Sequence, residues 1–183
     1  MNSDKIVCYL FTVFDKNETL INFINHYKKH KSGLNHKLII CFKLFQTSQI
    51  NDLKKYLIDI DYKEFIDKGK ENDWDFGSYK RVSEFFYDKD ILFLSSHSYP
   101  VCNDWLKKLF MFKNDKTVIA PTASYESLID SVKLKNKYHK ILRYLFRKYK
   151  FSRNFNKFPN PHLRTSSFLI NSRVFLDFIQ NKK

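Results

Sequence analysis

The chain has 183 residues, a length that fits one folded unit, and its 43% apolar content with 19 Phe and 11 Tyr supplies a sizeable core. No run is long enough to span a bilayer, and the apolar run near the N-terminus is too short for a secretory signal and is interrupted by Asp15, so the cytoplasm is the expected location. Lys and Arg number 33 against 19 Asp and Glu, a net charge of +14, which implies an anionic partner: phosphate, a lipid head group or nucleic acid.

Residues 6–14 form a nearly continuous apolar and β-branched run, the pattern of a strand buried on both faces of a parallel sheet. Asp15-Lys16-Asn17 breaks it, and Leu20, Phe23, Ile24 and Tyr27 then recur at helical spacing until Ser32-Gly33. A second buried strand over 38–42 leads to a helix over 47–57, and a short strand follows over 62–66. Gly77 or Ser78 starts the next helix, with Tyr79, Val82, Phe85 and Phe86 inward, and 91–94 forms the next strand. Asn103 or Asp104 caps a helix bearing Trp105, Leu106, Leu109 and Phe110. A short strand over 117–120, a helix over 131–149 with Tyr138, Ile141, Leu142, Leu145 and Phe146 inward, a strand over 166–170 and a final helix from 172 complete the reading. Strands alternating with helices of this length predict β–α–β construction with right-handed crossovers, an α/β fold in one domain over 1–183.

Cys8, Cys41 and Cys102 are far apart and form no Cys-x-x-Cys pair, so buried inert thiols are expected rather than a disulfide or zinc framework. The only glycines are Gly33, Gly69 and Gly77, and neither a Gly-x-x-x-x-Gly-Lys loop nor a Gly-x-Gly-x-x-Gly fingerprint is present. Two large classes of nucleotide enzymes are thereby excluded.

Three places can carry chemistry. A loop with Asp73, Asp75 and Gly77 ahead of a helix offers carboxylates to a ribose hydroxyl or metal, and backbone amides to an anion. The plainer alternative is that Asp75 or Ser78 caps that helix. Ser95-Ser96-His97-Ser98-Tyr99-Pro100 follows a buried strand, beyond the carboxyl end where open α/β sheets bind ligands. There His97 can donate to a phosphate or act as acid or base near neutral pH, or simply be a solvated loop residue. Asn160-Pro161-His162-Leu163-Arg164 delivers a histidine and an arginine into an adjoining strand, and Arg164 suits bidentate recognition of phosphate or carboxylate unless it pairs with an upstream acid.

The charge is also uneven. Residues 131–176 contain no Asp or Glu but twelve Lys and Arg. The segment 131–155 therefore reads as a basic amphipathic helix that can lie on an anionic membrane surface or present a solvated face. A nucleic-acid surface is the weaker reading, because the aromatic residues fall at core spacing and no recognition motif is present.

These residues resemble the bacterial GT-A-type glycosyltransferases of polysaccharide and lipopolysaccharide assembly, akin to the family-two and rhamnan-synthesis-like groups. The likeness rests on the strand over 7–14 followed by Asp15, on Trp74-Asp75-Phe76-Gly77-Ser78-Tyr79-Lys80, on Ile91-Leu92-Phe93-Leu94-Ser95-Ser96, and on Thr122-Ala123-Ser124-Tyr125-Glu126-Ser127 paired with Phe158-Pro159-Asn160-Pro161-His162-Leu163-Arg164-Thr165-Ser166-Ser167-Phe168. It implies a Rossmann-like nucleotide-sugar-binding fold with a mostly parallel central sheet flanked by helices, and an enzyme transferring a sugar, of hexosyltransferase type, to a glycan or lipid-linked acceptor. It further implies Thr12 and Asp15 near the nucleotide and Asp75 near the ribose or diphosphate, with Asp73, Gly77, Ser78 and Tyr79 in the same donor-binding element. Ser95, Ser96 and His97 then stand at the phosphates, and His162 with Arg164 near the acceptor or leaving group. Manganese or magnesium usually accompanies the sugar diphosphate in such enzymes, yet Ser95-Ser96-His97 stands where they commonly carry Asp-x-Asp. The family usually continues past the point reached at Lys183, which implies truncation at the C-terminus.

Overall fold

The computed structural model describes residues 5–127, 129 and 141–180. The chain divides into two compact units, Met1–Pro121 with Thr165–Lys183, and Thr122–Arg164. In chain order the first unit contains β1 (Lys5–Thr12), α1 (Asn17–Lys29), β2 (Lys37–Lys43), α2 (Thr47–Leu53), β3 (Lys63–Asp67), α3 (Trp74–Phe85), β4 (Asp90–Leu94) and α4 (Trp105–Phe110). The second contains β5 (Ala123–Ser124), α5 (Ile141–Asn154) and β6 (His162–Leu163), after which β7 (Ser167–Asn171) and α6 (Ser172–Gln180) return to the first.

The sheet of the first unit has the order β3-β2-β1-β4-β7. The first four strands run parallel and β7 is antiparallel to β4, with Leu94 opposite Ser167 and Asp90 opposite Asn171. Since β1 has a strand on each side and helices over both faces, both of its side-chain rows must be apolar, which is why its sequence is an unbroken run. Val7, Tyr9 and Phe11 face one core with Leu20, Phe23 and Leu106, while Ile6, Cys8 and Leu10 face the other with Tyr79, Val82 and Phe175. Each fully buried apolar side chain of this kind contributes roughly 1.5–3 kcal/mol, so the two faces together fix the carboxyl ends of β1 and β4 side by side. The thiols of Cys8 and Cys41 are buried in the second core, and all three cysteines are free.

Several elements differ from the sequence expectation. Over 117–120 there is no strand but a single antiparallel bridge, Ile119 to Leu169, because only those two backbones meet. The helix expected from Gly77 or Ser78 begins at Trp74, placing Asp75 and Gly77 inside it. Asp104 is the cap position of α4 but makes no side-chain cap bond, and Phe85, expected inward, is exposed. In the second unit β5 pairs with β6, Ser124 opposite His162 and Ala123 opposite Leu163, so the two motif blocks around them do meet. Of the segment 131–155, residues 131–140 lie outside the described residues, and that includes Tyr138. The described part, α5, is helical, but it buries no residue: Leu142 is 80% exposed and Phe146 66%, against the expected inward face. Among the described residues no helix is long and apolar enough to cross a membrane.

Candidate functional site

At the carboxyl end of β1 the chain turns back on itself. The Asp15 amide donates to the Thr12 carbonyl (3.0 Å), and Asp15 Oδ2 accepts from both the Thr12 amide (2.9 Å) and Thr12 Oγ1 (2.7 Å). Its other oxygen, Oδ1, accepts from Ser96 Oγ at 2.9 Å and lies 3.8 Å from His97 Nε2. The turn after β1 is therefore tied to the turn after β4, which brings Thr12, Asp15, Ser96 and His97 together. From beneath, the Tyr9 hydroxyl donates to the Ser96 carbonyl at 2.6 Å, and burial, reinforced by the Asp15 charge, holds that phenol protonated. On the far side the Ser95 amide donates to the Ser166 carbonyl (2.8 Å) and Ser98 Oγ donates to the same oxygen (2.8 Å), which anchors the loop to the start of β7.

The start of α3 is held by an ion network. Arg81 grips Asp67 at the end of β3 with two bonds, Nε to Oδ1 (2.6 Å) and Nη2 to Oδ2 (2.8 Å), and reaches Asp73 Oδ2 through Nη1 (2.6 Å). Ser78 Oγ donates to Asp67 Oδ2 (2.6 Å). The buried Lys43, at the end of β2, donates to Asp73 Oδ1 (2.6 Å) and to the carbonyl of Trp74, whose backbone has φ 49°. A positive φ at a bulky residue is strained, and Lys43 supplies a bond that holds it there. Burial opposes the charge on Asp73, but the hydrogen bonds from Arg81 and Lys43 outweigh it and hold the carboxyl at about 2. For Asp67, too, burial is outweighed by Arg81 and Ser78, and its pKa is lowered.

This network corrects part of the donor-binding expectation. Asp73 and Ser78 spend their side chains on internal partners, and Ser78 and Tyr79 are fully buried, so neither presents a surface to a ligand. Gly77 does not open a phosphate loop: a Cβ there would overlap the side chain of Asp73, so glycine is required for close packing within the helix. Neither Asp75 nor Ser78 caps α3, whose cap position is Asp73 without a side-chain cap bond. The sequence reading missed Lys43, Asp67 and Arg81, because the partners lie 14 and 30 positions apart and leave no local pattern.

Asp75 is different. It is half-buried, and among the described residues its carboxylate has no hydrogen bond or ion pair. Burial raises its pKa, Lys43 and His97 act the other way, and Asp15 adds to the rise. Those influences place Asp75 within electrostatic reach of the Asp15–Ser96–His97 cluster. The result is a polar centre at the carboxyl ends of parallel strands with one carboxylate left for a ligand, the arrangement open α/β sheets use for binding.

Beside it lies a cleft of about 490 Å³. Glu18, Thr19, Asn22 and Asn25 of α1 form one wall, and His97 and Tyr99 of the loop after β4 form the other. Ser96 belongs both to this cleft and to the Asp15 cluster.

Among the described residues no three His, Cys, Asp or Glu side chains converge, and both Asp15 oxygens already accept hydrogen bonds. In the second unit, His162 Nδ1 is 2.8 Å from the Asn160 carbonyl, and exposed Arg164 lies 3.8 Å from exposed Glu126, the upstream-acid pairing that was the alternative for it.

No family model matches the sequence, and a search of the curated proteins finds no match. Solved structures do match in fold. The glycosyltransferase GlyE of Streptococcus pneumoniae TIGR4 aligns over 99% of this chain and 37% of its own, with TM-score 0.56 and 12% identity. The bifunctional glycosyltransferase WbbM aligns over 98% and 33%, with TM-score 0.56 and 12% identity. The mannosyltransferase Ktr4p of S. cerevisiae aligns over 98% and 57%, with TM-score 0.50 and 15% identity. The chain thus spans between about a third and three fifths of the length of these proteins, and it has the GT-A fold, a mostly parallel sheet flanked by helices.

Proposed function

We propose that this chain is a glycosyltransferase moving a sugar, of hexosyl type, from a nucleotide-sugar donor to the hydroxyl of a glycan or lipid-linked acceptor in cell-surface polysaccharide synthesis. The observation that supports this reading most is the Ser96 to Asp15 hydrogen bond of 2.9 Å. It joins the turns after β1 and β4, on a fold shared with glycosyltransferases, within electrostatic reach of Asp75, whose carboxylate has no hydrogen bond or ion pair among the described residues.

In this reading Thr12 and Asp15 shape the turn against the nucleotide, and Asp75 accepts from a ribose hydroxyl or faces the diphosphate. Ser95, Ser96 and His97 meet the phosphates. The acceptor oxygen forms a bond to the anomeric carbon, the bond from that carbon to the diphosphate breaks with its electron pair on the diphosphate, and the acceptor proton passes to a carboxylate or histidine. His162 and Arg164 are assigned to the acceptor or leaving group, where a guanidinium would stabilise developing charge.

Calorimetric titration with uridine, guanosine and thymidine diphosphates, with and without manganese, tests the reading. At least one should bind, and Asp75→Asn should weaken it tenfold or more, about 1.4 kcal/mol, while leaving the fold intact, since among the described residues Asp75 has no hydrogen-bond or ion-pair partner. No binding of any of the three at millimolar concentration overturns the proposal. Binding without turnover identifies a degenerate transferase acting as a partner of another sugar-assembly enzyme.

A second reading concerns location. The exposed stripe Leu142, Leu145, Phe146 and Tyr149 on α5, flanked by Arg143, Lys148 and Lys150, favours an anionic membrane surface, with the protein peripheral on the cytoplasmic face of the inner membrane.

A further inference from the structure

We infer that Tyr79 is a positioning residue for Asp75: its buried hydroxyl is the donor that meets the Asp75 carboxylate and holds it toward the ligand. Among the described residues the hydroxyls of Tyr79 and Ser83 are buried without a hydrogen-bond partner. Buried polar groups are paired as a rule, and the exceptions gather at working sites. Ser83 has a partner at hand, because a helical serine can turn its hydroxyl onto the backbone carbonyl one turn back. A phenol cannot. The ring holds the Tyr79 hydroxyl away from its own backbone, and Phe93, Phe168 and Phe76 clamp that ring, with centroids 4.5, 5.6 and 6.0 Å away. An acceptor therefore has to come to it.

Side chains on a helix lean toward its N-terminus, over the turn that precedes their own Cα. On α3, Tyr79 thus leans over the turn that holds Asp75, four positions earlier. Burial pushes the phenol well above the ordinary tyrosine range, and the Asp75 charge is the next influence on it, ahead of the thiols of Cys8 on β1 and Cys41 on β2. Those thiols are weak acceptors. Asp75 is a carboxylate with no hydrogen bond or ion pair among the described residues. A donor without an acceptor and an acceptor without a donor therefore stand one turn apart, and with the ring clamped it is rotation of the Asp75 side chain that joins them.

The bond has a use. Burial raises the pKa of Asp75; among the charges that face it, Lys43 on β2 and His97 after β4 oppose the rise and Asp15 after β1 adds to it. A phenol donating to one carboxylate oxygen favours the ionised form, and it leaves the other oxygen for a ligand hydroxyl. The role toward the ligand rests on the sugar-transfer reading; the pairing of the two side chains does not.

The test compares Tyr79→Phe with the unaltered full chain; the substitution removes one hydroxyl from an intact core and should keep a dispersed NMR spectrum. Whichever of uridine, guanosine and thymidine diphosphate binds should bind about fivefold more weakly to the variant by calorimetry, the worth of one hydrogen bond. Binding needs ionised Asp75, so affinity is lost as the pH falls through its pKa, and in Tyr79→Phe that loss should come at higher pH. His97 is common to both chains and cancels from the difference. In an Asp75→Asn background, Tyr79→Phe should change neither the affinity nor its pH profile. In the free chain, the Asp75 carboxyl followed by 13C NMR should titrate at higher pH in Tyr79→Phe. If Asp75→Asn weakens binding while Tyr79→Phe does not, or if the two effects add in full, the inference is overturned and the transfer reading stands. If no nucleotide binds at all, the transfer reading fails and the Asp75 titration decides the pairing: a midpoint raised by Tyr79→Phe upholds it, and an unmoved one overturns it.

Discussion

The two units deal with charge in opposite ways. In Met1–Pro121 with Thr165–Lys183, acids and cations answer one another inside the structure: Asp67 and Asp73 take Arg81, Lys43 and Ser78, and Asp15 takes Thr12 and Ser96. In Thr122–Arg164, eleven Lys and Arg meet only two acids, Glu126 and Asp130, and the described helix α5 buries nothing. In the first unit the Lys43, Asp67, Asp73 and Arg81 charges are spent on holding backbone at the sheet's carboxyl end. The described cations of the second unit stand mostly on the exposed helix α5.

The largest effect that distinguishes them is Arg81→Ala. It leaves the Asp67 carboxylate, 1% exposed, without its bidentate partner, which costs about 3–5 kcal/mol in a urea unfolding midpoint, whereas Arg147→Ala on α5 should stay within about 0.5 kcal/mol. Equal costs for the two would break the contrast. Next in size, reversing Arg143, Arg147 and Lys150 to Glu should abolish sedimentation with anionic liposomes, since each cation near such a surface contributes about 1 kcal/mol, with the urea midpoint unchanged. A variant that still sediments makes α5 a merely solvated helix. Smaller again, Tyr9→Phe removes the bond to the Ser96 carbonyl and should cost about 1 kcal/mol in stability, and nucleotide affinity should fall severalfold as the loop loosens.

The smallest effect is one of pH. Asp73 has its folded pKa lowered from 3.8 to about 2, so the stability it contributes is complete above pH 4 and is lost as the pH falls toward 2. Across that window Asp73→Asn should show the shallower decline of unfolding free energy. Identical slopes would mean that the Lys43 and Arg81 contacts add nothing to the charged form.

Much of the fold was legible because burial on both faces leaves a direct signature. The runs over 6–14 and 38–42 are continuous for that reason, and β1 and β2 lie within one to two residues of them. The start of α3 was misread because Asp75 and Gly77 look like loop residues. The glycine instead answers the side chain of Asp73 lying against it, a packing cause that spacing does not express. Of the site, the sequence offered Asp15 and Ser96–His97 in one place only through the family resemblance, and it is the β1–β4 pairing that brings them together, while Lys43, Asp67 and Arg81 meet only through tertiary folding. In α5 the 3.6-residue period was visible, but periodicity shows that a helix has an apolar face and not what covers it.

The Ile119 to Leu169 bridge has a bearing on how such a chain can change. Each residue donates its amide to the other's carbonyl, at 3.0 and 2.7 Å, so the chain is clasped on itself across residues 120–168. The entropic cost of closing such an excursion rises only with the logarithm of its length, about 0.6 kcal/mol per doubling. Residues can therefore be inserted in this passage at small entropic cost while β4 and β7 keep their register.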